Sequence, residues 1–315
     1  MLNGKQNGHV SEESREKILQ AVYELGYHTH TSAQTLRKGY SAEICLILDV
    51  TLSPFATELI TSIQQNALLC GYSPVIYFSQ GLSAEERGAL HLRIFARRPL
   101  GILVGATGFT REDAVLAQKM GVKHIIFISF CDEFIENTYS ISFPSRDAGY
   151  LAARHLLIQG HRHLALVHPA DPVQQIPFAQ RQEGMLSALA ETPEATLDIL
   201  PLCLSASVAH ELVEERFTKS RYPTGIYAFS DEYALLLLGA LTRRGIQVPQ
   251  DVALVGTDNL PFCDFVYPSL TSICFDGNDM GKRAVGIFDA LQKGLPLPDE
   301  LVRPLMPQLI LRESS

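Results

Sequence analysis

The sequence predicts an α/β fold made of two doubly wound parallel-sheet lobes in succession, and three observations predict it. From residue 42 onward, near-continuous Val/Ile/Leu runs alternate with segments whose apolar residues recur at helical spacing. Such runs describe strands covered on both faces, which is how a parallel sheet is built. The alternation closes near residue 144 and then begins again. The last forty residues hold too few elements for a third unit, so they must return to the first two. A chain crossing more than once between two open α/β lobes makes a hinged clam, with ligands held outside the carboxyl ends of the strands.

Each element has its own signal. EICLILDV (43–50) is a buried-strand run, and the stretch from Phe55 to Cys70 places Leu59, Ile60, Ile63, Ala67 and Leu68 on one helical face before Gly71 stops it. PVIYFS, a helix from Ser83 to Arg98, GILVGA, a helix from Thr110 to Met120 and HIIFISF complete the first lobe. The second runs through a helix from Arg146 to Gln159, HLALVHP, Phe178 to Ala190, DILPL, Ser207 to Lys219, GIYAFS, Glu232 to Arg243 and VALVGTD. LTSICF, a helix from Met280 to Gln292 and PLMPQLILRE return as further strands and a helix. The expected division is 1–40, then a body at 41–315 whose lobes are 42–144 with 274–305 and 145–273 with 306–315.

Composition narrows the class. At 315 residues, 46% hydrophobic and 19% charged, the chain can bury a sizeable core. Apolar stretches such as Ile44–Leu48 and Ala234–Leu238 fall far short of the roughly 20 residues of a membrane span. The opening MLNGKQNGHV has no apolar leader core, so a cytoplasmic location is expected. Six scattered cysteines without a C-x-x-C pair read as free thiols. The net charge is −8, yet residues 1–40 carry five Lys/Arg against four Glu and three histidines. A near-neutral N-terminal piece on an acidic body is compatible with a small DNA-contacting part joined to a sensor.

Enzyme signatures fail one by one. Gly101, Gly105 and Gly108 have the wrong spacing for a dinucleotide fingerprint, and no P-loop lysine follows them. There is no G-x-S-x-G elbow. His210-Glu211 begins a zincin-like string, but Glu214 stands where the second histidine is needed. His155, His161, His163 and His168 would form a metal site only if several converged; His161 at a helix end and His163 and His168 flanking a strand give each a local role instead. No cofactor and no metal are expected.

Six blocks, in order, carry a resemblance: VSEESREKILQAVYELGYHTHTSAQTLRKG (10–39), RDAGYLAARHLLIQGHRHLALV (146–167), RQEG (181–184), FSDEYA (229–234), RGIQVPQDVALVGTDN (244–259) and PSLTSI (268–273). Together they resemble the lactose/galactose repressor family of transcription regulators across essentially the whole chain. The first block is similar to the third headpiece helix and the hinge of that family. Ala33 and Leu36 share one face of a short polar helix. The resemblance implies that this helix pairs with its two-fold mate in the DNA minor groove. Leu36 would be the wedge at a base step, with Gln34, Arg37 and Lys38 near the phosphates; the alternative is that Leu36 packs on the sensor. The opening MLNGKQNGHV resembles the loop after the family's recognition helix, so base-specific reading by these 315 residues is not expected.

For the sensor, the resemblance implies a cleft lined by Phe55, Arg181, Ser230, Asp258 and Phe275, with Asp147 nearby. A carboxylate and an arginine suit vicinal hydroxyls, and aromatic faces suit the apolar side of a sugar ring. Core packing for Phe55, a helix cap for Asp258 and a surface ion pair for Arg181 stand as alternatives. The effector expected is a sugar or a related metabolite. The run CLSAS after DILPL, where the family often has an aromatic, and the absence of tryptophan count against a sugar and leave its identity open. The function expected is that of a homodimeric repressor on a pseudo-palindromic operator, controlled by that effector. A sugar-binding module without DNA is the alternative.

Overall fold

In the computed structural model, residues 12–24, 39–49, 54–105, 108–129, 137–217 and 222–315 are described. Helix α1 is Glu12–Glu24. The first lobe has strands β1 (Glu43–Leu48), β2 (Ser73–Phe78), β3 (Gly101–Gly105), β4 (His124–Ser129) and β5 (Tyr139–Ser142), alternating with helices α2 (Pro54–Leu69), α3 (Ala84–Ala96) and α4 (Arg111–Lys119). Its strand order is β2-β1-β3-β4-β5, and every pair is parallel. β1 is buried from Ile44 to Leu48, as a strand covered on both faces must be.

The second lobe contains α5 (Ser145–Ile158), β6 (His163–Pro169), α6 (Gln175–Leu189), β7 (Thr196–Leu202), α7 (Ala206–Arg216), β8 (Gly225–Tyr227), α8 (Asp231–Arg243) and β9 (Ala253–Thr257). It is completed by β10 (Thr271–Cys274) and β11 (Gln308–Ile310), in the order β11-β10-β9-β8-β6-β7. Between β10 and β11 the chain revisits the first lobe through α9 (Gly277–Lys293) and the short α10 (Asp299–Val302). The chain thus crosses between the lobes three times. α9 is seated on α2: a Cβ on Gly281 would lie 2.6 Å from Ser62 Cβ, and Ser62 Oγ donates to the Asn278 carbonyl at 2.7 Å.

Some elements depart from the sequence reading. β5 was not expected, because YSIS is short and largely unburied, without the apolar run that marks its neighbours. β11 is antiparallel to β10, so the second sheet is parallel except at that edge. α6 begins three residues before Phe178, since Pro177 falls in its first turn, where its missing N–H costs nothing. α9 begins at Gly277 because Asp276 caps it, accepting from the Asp279 N–H at 2.8 Å.

The packing of α5 on α6 positions the cleft. A Cβ on Gly149 would stand 2.0 Å from the Arg181 carbonyl oxygen, and one on Gly184 would stand 1.8 Å from that of Arg146. Only glycine at both sites lets the two backbones touch, and Arg146 adds an exposed 2.9 Å ion pair to Glu183. Gly184→Ala should therefore destabilise the chain by about 1–3 kcal/mol, the usual cost of an unaccommodated methyl, and Gly149→Ala should do the same; denaturant midpoints at constant slope check both. An unchanged midpoint would mean that the helices slide apart at no cost.

Candidate functional site

The carboxyl ends of β6, β8, β9 and β10 converge on the gap between the lobes, followed by Ser230, Asp258 and Phe275. Arg181 reaches this gap from α6 and is only 4% exposed. Its guanidinium lies 4.3 Å from the centre of the Phe229 ring and 5.7 Å from that of Phe275. Nη1 donates to the Phe229 carbonyl, while the buried Nε has no hydrogen-bond partner. An unmet N–H on a buried cation is costly, and a ligand acceptor would remove that cost.

Around the arginine stands an aromatic group drawn from both lobes. The Phe275 ring is 6.5 Å from Phe55 and 6.2 Å from Phe143, and Phe55 and Phe143 are 5.6 Å apart, all edge to face. Phe55 opens α2 and packs against the cores of both lobes. Phe143 lies on the first crossover and Phe275 on the second.

Asp258 follows β9 with a φ of +98°, and Asn259 follows at +52°. Left-handed backbone at non-glycine residues costs about 1–3 kcal/mol each, and such strain collects at functional sites. Burial pushes the Asp258 carboxyl up to about 7; Arg181 pulls it down, and the charges of Asp231 and Glu232 add to the rise. Arg181 is therefore near enough to act on Asp258. A cation and a carboxylate of adjustable charge, set among aromatic edges, can bind a small polar ligand with an apolar face.

Of the six residues expected in the cleft, Phe55, Arg181 and Phe275 are in one packed group with Asp258 within electrostatic reach. Ser230 is 7% exposed just before α8, its hydroxyl 3.3 Å from Glu232 Oε2. Asp147 is not brought in: it is exposed on the first turn of α5, with no hydrogen bond to the group among the described residues. Ala33, Gln34, Leu36, Arg37 and Lys38 lie outside the described residues. The sequence reading missed Phe229, Phe143 and Asp231. Phe229 and Asp231 stood inside FSDEYA, and Phe143 is the aromatic at the lobe boundary.

Two other features belong to the hinge and the second lobe. A cavity of about 320 Å³ opens at the hinge, lined by Pro144, Phe275, Asp279, Arg283, Arg303 and Met306. The four clustered histidines have four separate partners: His155 meets Ser315, His161 Thr224, His163 Asp198 and His168 Gln175.

This arrangement defines a class, the two-lobed cleft sensors. A match to the periplasmic binding protein-like domain family spans residues 153–315. The transcriptional repressor PurR of Haemophilus influenzae strain PittEE is 26% identical over 314 residues, covering 97% of this chain and 90% of that protein. A solved Lac repressor bound to ONPG in the repressed state superposes with a TM-score of 0.80 at 23% identity, covering 100% of this chain and 94% of the other. A LacI-family regulator from Enterococcus faecium with bound ribose gives 0.72 at 21% identity, covering 87% and 98%. The chain belongs to the periplasmic binding protein-like family, in its lactose/galactose-repressor branch of transcriptional regulators. No helix among the described residues is long and apolar enough to cross a membrane.

The raised Asp258 carboxyl gives a signed stability prediction. In the folded state it holds its proton to about pH 7, whereas unfolded it would ionise near pH 4. The charge penalty is thus absent below pH 4, grows as pH rises, and is complete above pH 7. Asp258→Asn, which carries no charge, should match the wild type at pH 4 and exceed it by a few kcal/mol at pH 8. Denaturation at the two pH values measures this; a difference independent of pH would place Asp258 in water.

Proposed function

We propose that this regulator senses a small polar metabolite, a sugar or a related compound, in the cleft between its lobes. The buried Arg181 Nε without a partner, beside Asp258, is the observation that carries the reading. A ligand acceptor would satisfy Arg181, ligand hydroxyls or N–H groups would satisfy Asp258, and the edges of Phe55 and Phe275 would cover its apolar face. Binding would fix the angle between lobes joined by three crossovers, and so the state of the N-terminal segment preceding β1.

On this reading, residues 1–40 are the DNA-facing piece and 41–315 the sensor. The chain acts as a homodimeric repressor, each copy supplying one hinge helix with Leu36 as its minor-groove wedge and Gln34, Arg37 and Lys38 at the phosphates. Phe265 and Tyr267, 83% and 90% exposed on the second lobe, offer apolar surface for a second copy. The relatives support the assignment: PurR is named a repressor, and one Lac repressor dimer was solved on its operator.

The decisive experiment is a thermal-shift screen of sugars, sugar phosphates, nucleosides and purines. A compound at 100 times its Kd adds roughly 2.7 kcal/mol of stability, and Arg181→Ala and Asp258→Ala should each remove it. Because Asp258 receives hydrogens best when ionised, affinity for a neutral hydroxyl or N–H donor should rise as pH passes upward through about 7. A hit that ignores both substitutions would move the site elsewhere. Leu36→Ala should leave ligand affinity unchanged while weakening retention of mixed-sequence duplex DNA at low salt.

A further inference from the structure

The loop that presents Asp258 to the cleft has a backbone that needs outside support. Two successive non-glycine residues, Asp258 and Asn259, have positive φ, a region disfavoured by contact between Cβ and the backbone. The supports come from three other segments. The Asp258 N–H donates to the Ile273 carbonyl at 2.8 Å. The Asn259 N–H donates to Ser272 Oγ at 3.0 Å, and that hydroxyl donates in turn to Asp231 Oδ1 at 2.7 Å. Asp231 Oδ2 accepts from the Leu260 N–H at 2.7 Å and from Cys263 Sγ at 3.2 Å.

The far side is held by Arg312, which follows β11. Its Nη2 donates to Asn259 Oδ1 at 2.8 Å, Nη1 to the Leu270 carbonyl at 2.9 Å and Nε to Asp264 Oδ1 at 2.6 Å. The rest of the lobe makes room for this device. Asp231 has no exposure, and a Cβ on Gly256 would stand 2.1 Å from its Oδ1. A carboxylate buried to that degree costs stability unless its acceptor sites are filled. Here they are filled by donors that belong to, or lead directly to, residues 259–263.

We propose that Asp231 and Arg312 are positioning residues for ligand recognition. Acting through Ser272 and Asn259, they lock the 258–260 loop into its left-handed turn and so aim the Asp258 carboxylate into the cleft. This rests on Asp258 being a ligand contact. Asp231 and Arg312 need touch no ligand themselves. The competing account is that they only staple α8 and the strand β11 to the sheet, in which case the loop would keep its turn without them.

The test reads the turn itself, without any ligand. In the full chain labelled with ¹³C and ¹⁵N, the one-bond Cα–Hα couplings of residues 258 and 259 report the sign of φ, being smaller where φ is positive. The wild type should show small couplings at both positions. In Ser272→Ala and Arg312→Ala they should rise toward the values of ordinary extended or helical residues, and Arg312→Lys, which keeps the charge but loses the fork, should behave like Arg312→Ala. Asp231→Asn is not used to decide, since an unmatched buried amide can unfold the lobe. Small couplings retained in folded Ser272→Ala and Arg312→Ala, with or without a lower Tm, would overturn the proposal, as would a wild type without them. Failure of the ligand reading is separate: it would appear as binding that survives Asp258→Ala.

Discussion

A guanidinium sealed away from water organises this molecule. Arg181 can remain buried because Phe229 supplies both a ring face and a carbonyl, and because the Phe275 ring stands close by. The arginine reaches that position only because α6 lies directly against α5, with Gly149 and Gly184 letting backbone meet backbone. Phe275 in turn touches Phe55 and Phe143, so one buried cation links the second lobe to both of the first two crossovers and to the start of α2. The lobes therefore meet through a charged and aromatic contact that a ligand can reorganise. Continuous aliphatic packing would have fused them into one body.

The architecture was legible because parallel strands buried on both faces write themselves as Val/Ile/Leu runs. Ile44–Leu48 and Leu164–Val167 are wholly buried and were plain in the sequence. Tyr139–Ser142 was not, since it alternates and ends a sheet, leaving a half-exposed strand with no pattern of its own. Boundaries moved where capping chemistry outweighed periodicity, as Asp276 shows at α9 and Pro177 at α6. The antiparallel sense of β11 could not be read from LILRE, because direction depends on where the preceding crossover delivers the strand.

The cleft was legible to a different degree. Arg181 and Asp258 came from family resemblance, and only the fold shows the state of each: one is a buried cation with an unused N–H, the other a carboxyl that burial pushes up to about 7. Asp147 sits one turn from the aromatic group in sequence yet faces solvent, since a helix start near a cleft does not fix which side faces it. Asp231 was overlooked because its neighbours are remote: Leu260, Cys263 and Ser272 lie 29, 32 and 41 positions away.

The threading of α9 has a consequence for how the chain can be made. Ser62 is bonded to Asn278 and Tyr72 to Asp289, separations of 216 and 217 residues. The helix that closes the first lobe is thus synthesised after almost all of the second. During translation the first lobe must wait, with the apolar flank of α2 uncovered, while the sheet β6–β9 emerges and folds. The two lobes are then obliged to mature together. Such mutual dependence couples the quality of one lobe to the other before any ligand arrives, and it leaves α2, the helix whose first turn holds Phe55, uncovered until α9 is made.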